Sequence, residues 1–387
     1  MAGSVAAALV HSSEVRSARA DVAQAGASVR IAGGGYYPTL TGSTGTGGID
    51  SYEAEMRLTQ TLYDWGRTAE QVRGARAGRT EAEMMLWAAR ENTAFEAAEA
   101  FIGLHRMREL ELAALDNVEA HERIAELARI RTEGGVGDAT EIGLASVRLG
   151  EARSALEDAR GNVRIASNLY ITRMGAEPPA VLEPVPELTM VFDGQEMFET
   201  ALDAAPTVQI AYAQEKQALS RARSEKKGLF PRLEAVAYVR SFDEMETQDT
   251  GVGLRFTAPT FNGFTNFDRI EAANLQAESA RWQAETARRD VRLRVRDLIE
   301  RTPTLERQLE ILRTQHTEAL RLRDLYEIQF KLGRRSLVDF LNVQADIYRI
   351  ARTIADTRHT IFNLQYAAAQ GLGRLEAMVL AVGEPGS

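Results

Sequence analysis

GGYYPTL, residues 34–40, ends an alanine-rich charged run and opens the glycine- and threonine-rich TGSTGTGG (41–48). About 193 residues later KGLFPRL (227–233) does the same after another alanine-rich charged run. Aligning Gln24-Ala25 on Gln217-Ala218 places Leu9 on Leu202, Pro38 on Pro231 and Leu40 on Leu233. Further on, LYDWGR (62–67) meets TFNGF (260–264), and RMG (173–175) meets GLG (371–373). Gly134 of TEGGVGDATEI (132–142) meets Gly333 of KLGRRSLVDFL (331–341). The offset stays near 193–199 throughout, which marks a duplicated unit half the chain long.

Both copies read in one order. Residues 1–175 form a first repeat: a helix over about 4–34, strands over about 37–64, a very long helix over about 66–131 and a shorter one over about 137–174. Residues 195–373 form the second: a helix over about 195–228, strands over about 231–261, then helices over about 264–331 and 336–372. Residues 176–194 are a linker, within GAEPPAVLEPVPELT (175–189) and its four of the ten prolines, and 374–387 are a tail. The glycines of 33–35 suit a left-handed helix end. A helix of about 66 residues would reach about 100 Å, so it must pack in a bundle or coiled coil. Thr302-Pro303 predicts a kink or break in the second long helix.

The shorter helices carry heptad seams. Phe340, Val343, Ile347, Ile350, Ile354, Thr357, Ile361, Leu364 and Ala368 step by three and four. Ile142, Ala145, Leu149, Ala152, Leu156, Ala159, Val163, Ala166 and Tyr170 do likewise, and their alternating alanines predict a close neighbour. The strands show period two. Tyr52, Ala54, Met56 and Leu58 share a face, as do Val252, Leu254, Phe256 and Ala258, with Glu53, Glu55, Arg57 and Arg255 opposite. Such a sheet is either a cap on a helical core or a lipid-facing band around a wet lumen. Four strands cannot close a spanning barrel alone, so the second reading demands an oligomer.

The composition limits the chemistry. A net charge of −9 with both signs interspersed gives no basic face for nucleic acid. Without cysteine the given chain forms no disulfide and no thiolate site. No run of about 18 apolar residues predicts a transmembrane helix, and no signal peptide is visible in the opening MAGSVAAALV. The five histidines are scattered without partners at metal spacing. No catalytic constellation, cofactor motif or metal site is evident, so the expectation is a protein that is not an enzyme. The two glycine turns reverse a long helix into a shorter one. Asp339, beside the seam residue Phe340, is a solvated residue or, in a ring of identical subunits, part of an electrostatic constriction.

The order helix, YPTL or FPRL, strand pair, long helix, glycine turn and heptad helix, given twice, resembles the TolC-type outer membrane channel family. The resemblance covers essentially the whole chain. It is most specific at Pro38-Leu40, Pro231-Leu233, LYDWGR and FKLGRRSLVDFLNVQADIY (330–348). It implies a mainly α fold with a β-barrel contribution: long antiparallel coiled-coil helices forming a tunnel, and four strands per protomer in a 12-stranded outer-membrane barrel of a homotrimer. Pro38, Pro231, Trp65 and Gly66 would mark the helix–strand junctions, and Tyr52, Leu254 and Phe256 would face lipid. Gly134, Thr140, Phe330, Gly333, Arg335, Asp339 and Asn342 would form the periplasmic tip and gate. Phe330 stands where the family archetype has a tyrosine, Asn342 where it has a second aspartate, and Thr140 where the first tip has an aspartate. Implied partners are a periplasmic adaptor, an inner-membrane ABC transporter or RND pump, and outer-membrane lipid. The expected function is a passive conduit for type I protein secretion, the alternative is multidrug efflux, and a rival from another class is a soluble coiled-coil protein.

Overall fold

The computed structural model describes residues 1–48, 51–135, 137–188, 195–242, 247–260 and 263–382, with backbone alone at 46–48, 51–53, 242, 247–248 and 382. The elements run α1 (Ala2–His11), α2 (Ser13–Gly33), β1 (Thr39–Gly48), β2 (Ser51–Tyr63), α3 (Arg67–Glu133), α4 (Ala139–Met174), α5 (Gln195–Asp203), α6 (Pro206–Lys227), β3 (Arg232–Phe242), β4 (Thr247–Thr257), α7 (Thr265–Lys331), α8 (Leu337–Gly371) and α9 (Leu375–Val382). Helices α3 and α7 each hold 67 residues, and α4 and α8 hold 36 and 35. The order of elements therefore recurs in the two halves, as the sequence repeat predicts.

Several local expectations are corrected. The first helix of each half is broken. Ser12 leaves helical geometry and its Oγ accepts from the Val15 amide at 3.2 Å, which starts α2. Pro206 starts α6, where a missing N–H costs nothing. Gly33–Gly35 show no left-handed residue. Gly33 is right-handed and Gly34–Tyr36 form a 3-10 turn. A Cβ on Gly35 would stand 2.9 Å from Thr68 Cγ2, so close approach is what requires glycine there. Pro303 lies inside α7 and does not break it, while the Thr302 hydroxyl donates to the Leu298 carbonyl at 3.1 Å.

The chain forms two compact units, each drawing on both halves. One comprises Arg16–Ala88 and Thr200–Val291 and contains the sheet. Its four strands lie in the order β1-β2-β3-β4, all antiparallel, so the two hairpins sit side by side and β1 and β4 are the edges. Leu40 faces Leu58, Leu58 faces Ala237, and Ala237 faces Val252. Leu233 faces Phe256 and Ala235 faces Leu254 in the same apolar layer. The opposite layer aligns Glu55 with Arg240 and Asp249, and Thr61 with Glu234 and Arg255. The period-two faces are thus those read from the sequence.

The other unit comprises Met1–Val15, Ala89–Glu199 and Arg292–Ser387. One core cluster gathers Phe101, Leu104, Tyr170, Tyr366, Leu375 and Val379, where the Tyr366 hydroxyl donates to the Pro186 carbonyl at 3.0 Å. A second joins Ala114 and Val118 of α3 to Ala152, Leu156 and Ala159 of α4. These are the alanine layers of the predicted seam, and they admit close backbones. Every position of both seams is buried or half-buried. A buried amide pair crosses from α8 to α3, with Gln344 Nε2 donating to Asn117 Oδ1 at 3.0 Å. Such a pair inside an apolar seam favours one register over others.

Candidate functional site: sheet faces, junctions and helix turns

The apolar sheet layer is not covered within the chain. Val252, Leu254 and Phe256 are 87%, 72% and 71% exposed, and Leu40, Met56, Leu58 and Val239 are also exposed. Leaving so much contiguous apolar surface in water is costly, so the face requires an apolar surrounding. The side chain of Tyr52, predicted on this face, lies outside the described residues. The wet layer is ion-paired. Glu55 accepts from Arg57 Nε at 2.7 Å and Arg240 Nη2 at 3.1 Å, and Glu234 pairs with Arg232 at 3.0 Å. Tyr238 lies over Gly251, where an added Cβ would stand 2.7 Å from its ring. A larger residue at 251 would displace that ring.

The exit from β2 into α3 is built on Asp64. Its carboxylate accepts from the Gly66 amide at 2.9 Å, the Thr68 amide at 2.7 Å and the Thr68 hydroxyl at 2.5 Å. Burial opposes ionisation there, but these donors outweigh it and hold the Asp64 carboxyl below its ordinary range. Trp65 (φ 58) and Gly66 (φ 78) are both left-handed, and Trp65 is the only non-glycine with positive φ among the described residues. Its strain is held by packing and by Nε1, which donates to the Pro231 carbonyl at 2.8 Å. The first repeat's junction is thereby tied to the second's. The Trp65 ring lies 5.1 Å from Tyr63 and 5.0 Å from Phe230. Pro38 follows the extended Tyr37 immediately before β1. Deeper in, buried Glu70 takes Arg73 at 2.6 Å and Lys227 at 2.8 Å. Burial again opposes ionisation at Glu70, and the two cations outweigh it and lower its pKa. Sequence reasoning marked Pro38, Trp65, Gly66 and Pro231 but missed Asp64, Glu70 and Lys227. The Asp64-to-Thr68 spacing was the available signal.

The two helix turns differ in detail. In the first, the left-handed residue is Gly135 (φ 75), not Gly134, whose amide still donates to Ile130 as in helix. Gly137 is required by contact, because a Cβ there would stand 2.9 Å from the Thr132 backbone nitrogen. Asp138 caps α4 by accepting from the Thr140 amide and hydroxyl at 3.2 and 3.1 Å, so Thr140 is exposed and engaged locally. In the second turn Gly333 (φ 71) is left-handed, and the Arg334 amide closes back on the Gln329 carbonyl at 2.8 Å. Ser336 caps α8 by accepting from the Asp339 amide at 3.1 Å.

Of the predicted tip residues, Arg335 and Asp339 meet. Arg335 Nη1 lies 3.7 Å from Asp339 Oδ2 while its guanidinium stacks 4.2 Å from the Tyr326 ring centre. Asn342 is exposed. Phe330 is fully buried with Ile124, Ala128, Ala145, Leu337, Phe340 and Leu341, under the Arg131 guanidinium at 4.3 Å. It belongs to the packing that joins the turns rather than to their surface. No group of residues able to hold a metal ion is found among the described residues.

An amphipathic sheet with open edges and, in the other unit, paired heptad helices are the elements of an outer-membrane channel protomer. The outer membrane efflux protein family model matches residues 5–170 and 197–379, and the chain belongs to that family of efflux proteins and is an outer-membrane protein. It is similar to the outer membrane efflux protein BepC of Brucella suis biovar 1 (strain 1330), at 22% identity over 97% of this chain and 86% of that one. It is also similar to the protein CyaE of Bordetella pertussis (strain Tohama I), at 24% identity over 70% of this chain and 62% of that one. Its fold matches that of CusC, whose crystal structures concern folding and transmembrane channel formation, with a TM-score of 0.88 at 14% identity over 95% of this chain and 91% of that one.

Proposed function

We propose that three copies pool their sheets into one 12-stranded barrel in the outer membrane, continued by a periplasmic helical tunnel, and that the assembly passively conducts cargo outward. The observation that carries this is the sheet: one face is apolar and exposed, and β1 and β4 are unpaired edges. Hydrocarbon tolerates no open strand edge, so closure must come from further copies. The turns at 132–142 and 331–341 form the narrow periplasmic end, which docks on an adaptor and an inner-membrane transporter of the ABC or RND type. The cargo is an unfolded secreted protein, a reading supported by the first-turn sequence GDATEIGLASVRLGEA (137–152). A second reading, efflux of small toxic molecules, is favoured by the likeness to BepC.

At the narrow end Asp339 would recur three times about the axis, with Arg335 beside it holding the turn closed. Like carboxylates in a ring repel one another and attract cations. In planar bilayers the purified trimer is expected to conduct, and Asp339→Asn is expected to reduce cation preference and alter conductance. Unchanged selectivity and conductance would remove Asp339 from the constriction, and a monodisperse monomer stable without detergent would remove the channel. Loss of a secreted protein from the medium of a deletion strain, with drug susceptibility unchanged, separates secretion from efflux.

A further inference from the structure

Each of the four helix–strand junctions carries an exposed aromatic side chain. Tyr37 precedes β1, Trp65 follows β2, Phe230 precedes β3 and Phe264 follows β4. Rings of this kind favour the level where hydrocarbon meets headgroups. One junction adds cations in a particular order. Tyr63, level with Leu233 and Phe256 at the end of the apolar face, touches Trp65, which touches Phe230. Beyond them Arg67 lies against Gly228, its Cζ 3.4 Å and its Nε 3.6 Å from where a glycine Cβ would stand. That Nε is buried and has no acceptor among the described residues. Lys226, in the last turn of α6, is exposed and has no carboxylate partner among them.

The neighbouring acids are mostly committed. Asp64 accepts from Gly66 and Thr68, Glu70 Oε1 pairs with Arg73 and Lys227 while its Oε2 has no hydrogen-bond partner among the described residues, and Glu234 pairs with Arg232. Glu225, beside Lys226 in α6, and Asp268, in the first turn of α7, form no ion pair among the described residues. Arg67, against Gly228, and Lys226, two residues before it in the chain, are therefore cations with no ion-pair partner among the described residues, in the segment that leads through Phe230 into the apolar sheet. Apolar chain, amphipathic ring and cation follow one another as acyl chain, glycerol ester and phosphate do in a phospholipid. We infer that Arg67 and Lys226, with the Trp65–Phe230 pair, bind the phosphate of an anionic glycerophospholipid in the leaflet facing the helices. Arg67 supplies a planar donor fork to two phosphate oxygens, and Lys226 supplies a mobile point charge. The rings lie along the ester region and exclude water from the contact.

This inference rests on the apolar sheet face meeting lipid, and its test separates the two. The full-length protein in neutral detergent is titrated with dioleoyl-phosphatidylglycerol or dioleoyl-phosphatidylcholine, and bound lipid is counted by native mass spectrometry. Phosphatidylglycerol is expected to be retained preferentially. The apparent affinity should fall about fivefold for Lys226→Gln and about 25-fold for Arg67→Gln with Lys226→Gln, given the usual worth of a basic residue near an anionic surface. Lys226→Gln is exposed and keeps the fold, so it tests the site even if the double variant folds poorly. Arg281→Gln, an exposed change elsewhere on α7, should leave retention as in wild type. Equal retention of the two lipids by wild type, or equal phosphatidylglycerol retention by wild type and Lys226→Gln, overturns the inference while leaving the barrel intact. Displacement of the lipid by millimolar inorganic phosphate also overturns it, because the site would then recognise a free anion. A protein that needs no detergent overturns the lipid-facing sheet itself.

Discussion

Leu254→Arg is expected to remove most of the protein from the outer membrane. Leu254 is 72% exposed on β4 and faces Ala235 in the apolar layer. It lies three residues from the strand end at Thr257, about 10 Å at the usual rise, and so well inside an apolar band of about 25 Å. An arginine at such a depth costs about 2–4 kcal/mol near the midplane of a barrel wall, and a trimer would carry three. Losses of that size are comparable with the whole stability of many domains. The trimer band on an unheated gel should vanish and the chain should appear in the soluble or degraded fraction. Thr59→Arg, on the wet layer opposite Val236, is the control and should keep the trimer. Equal effects from the two substitutions would show that the faces do not differ in surroundings. The sheet would then be a cap on a helical protein.

Much of this architecture is legible in the sequence because it is periodic. Alternation along TGVGLRFT places Leu254 and Phe256 together in either environment, and the heptads of α4 and α8 survive any change of neighbours. The paired prolines at 38 and 231 locate both junctions because proline cannot stay inside a helix bonding pattern. Pro303 shows the limit of that rule, since α7 carries it and continues. What was not legible depends on one bond or on a neighbour distant in sequence. Gly134 and Gly135 are identical as letters, and only the Gly134 amide, still bonded to Ile130, tells which one leaves the helix. Trp65 reads as a helix–strand junction residue, yet its left-handed backbone depends on a bond to Pro231, which lies 166 positions away. The resemblance places Phe330 at the tip, where the family archetype has a tyrosine, and its burial comes from three other helices.

Phe330→Ala is expected to loosen both helix turns together while sparing the sheet. The ring packs where α3, α4, α7 and α8 meet, 5.9 Å from Phe340, with Ile124, Ala128, Ala145 and Leu337 around it. Emptying such a site costs about 3–5 kcal/mol, the sum of lost transfer energy and the cavity left behind. Removing the ring also strips the Arg131 guanidinium of its aromatic face. The loss falls on local opening rather than on the separate core around Phe101 and Tyr366. Amide exchange should therefore rise by about two to four orders of magnitude, the factor that 3–5 kcal/mol implies, over residues 124–131 and 326–341. Amides of β2 and β3 should exchange as in wild type. Phe330→Leu keeps most of the volume and should give a small fraction of the effect. If the turns at 132–142 and 331–341 close the conduit, the alanine variant should also admit large antibiotics that wild type excludes. Faster exchange without leakage would separate packing from closure and place the barrier elsewhere. Unchanged exchange at 124–131 would mean that Phe330 does not couple the two turns at all.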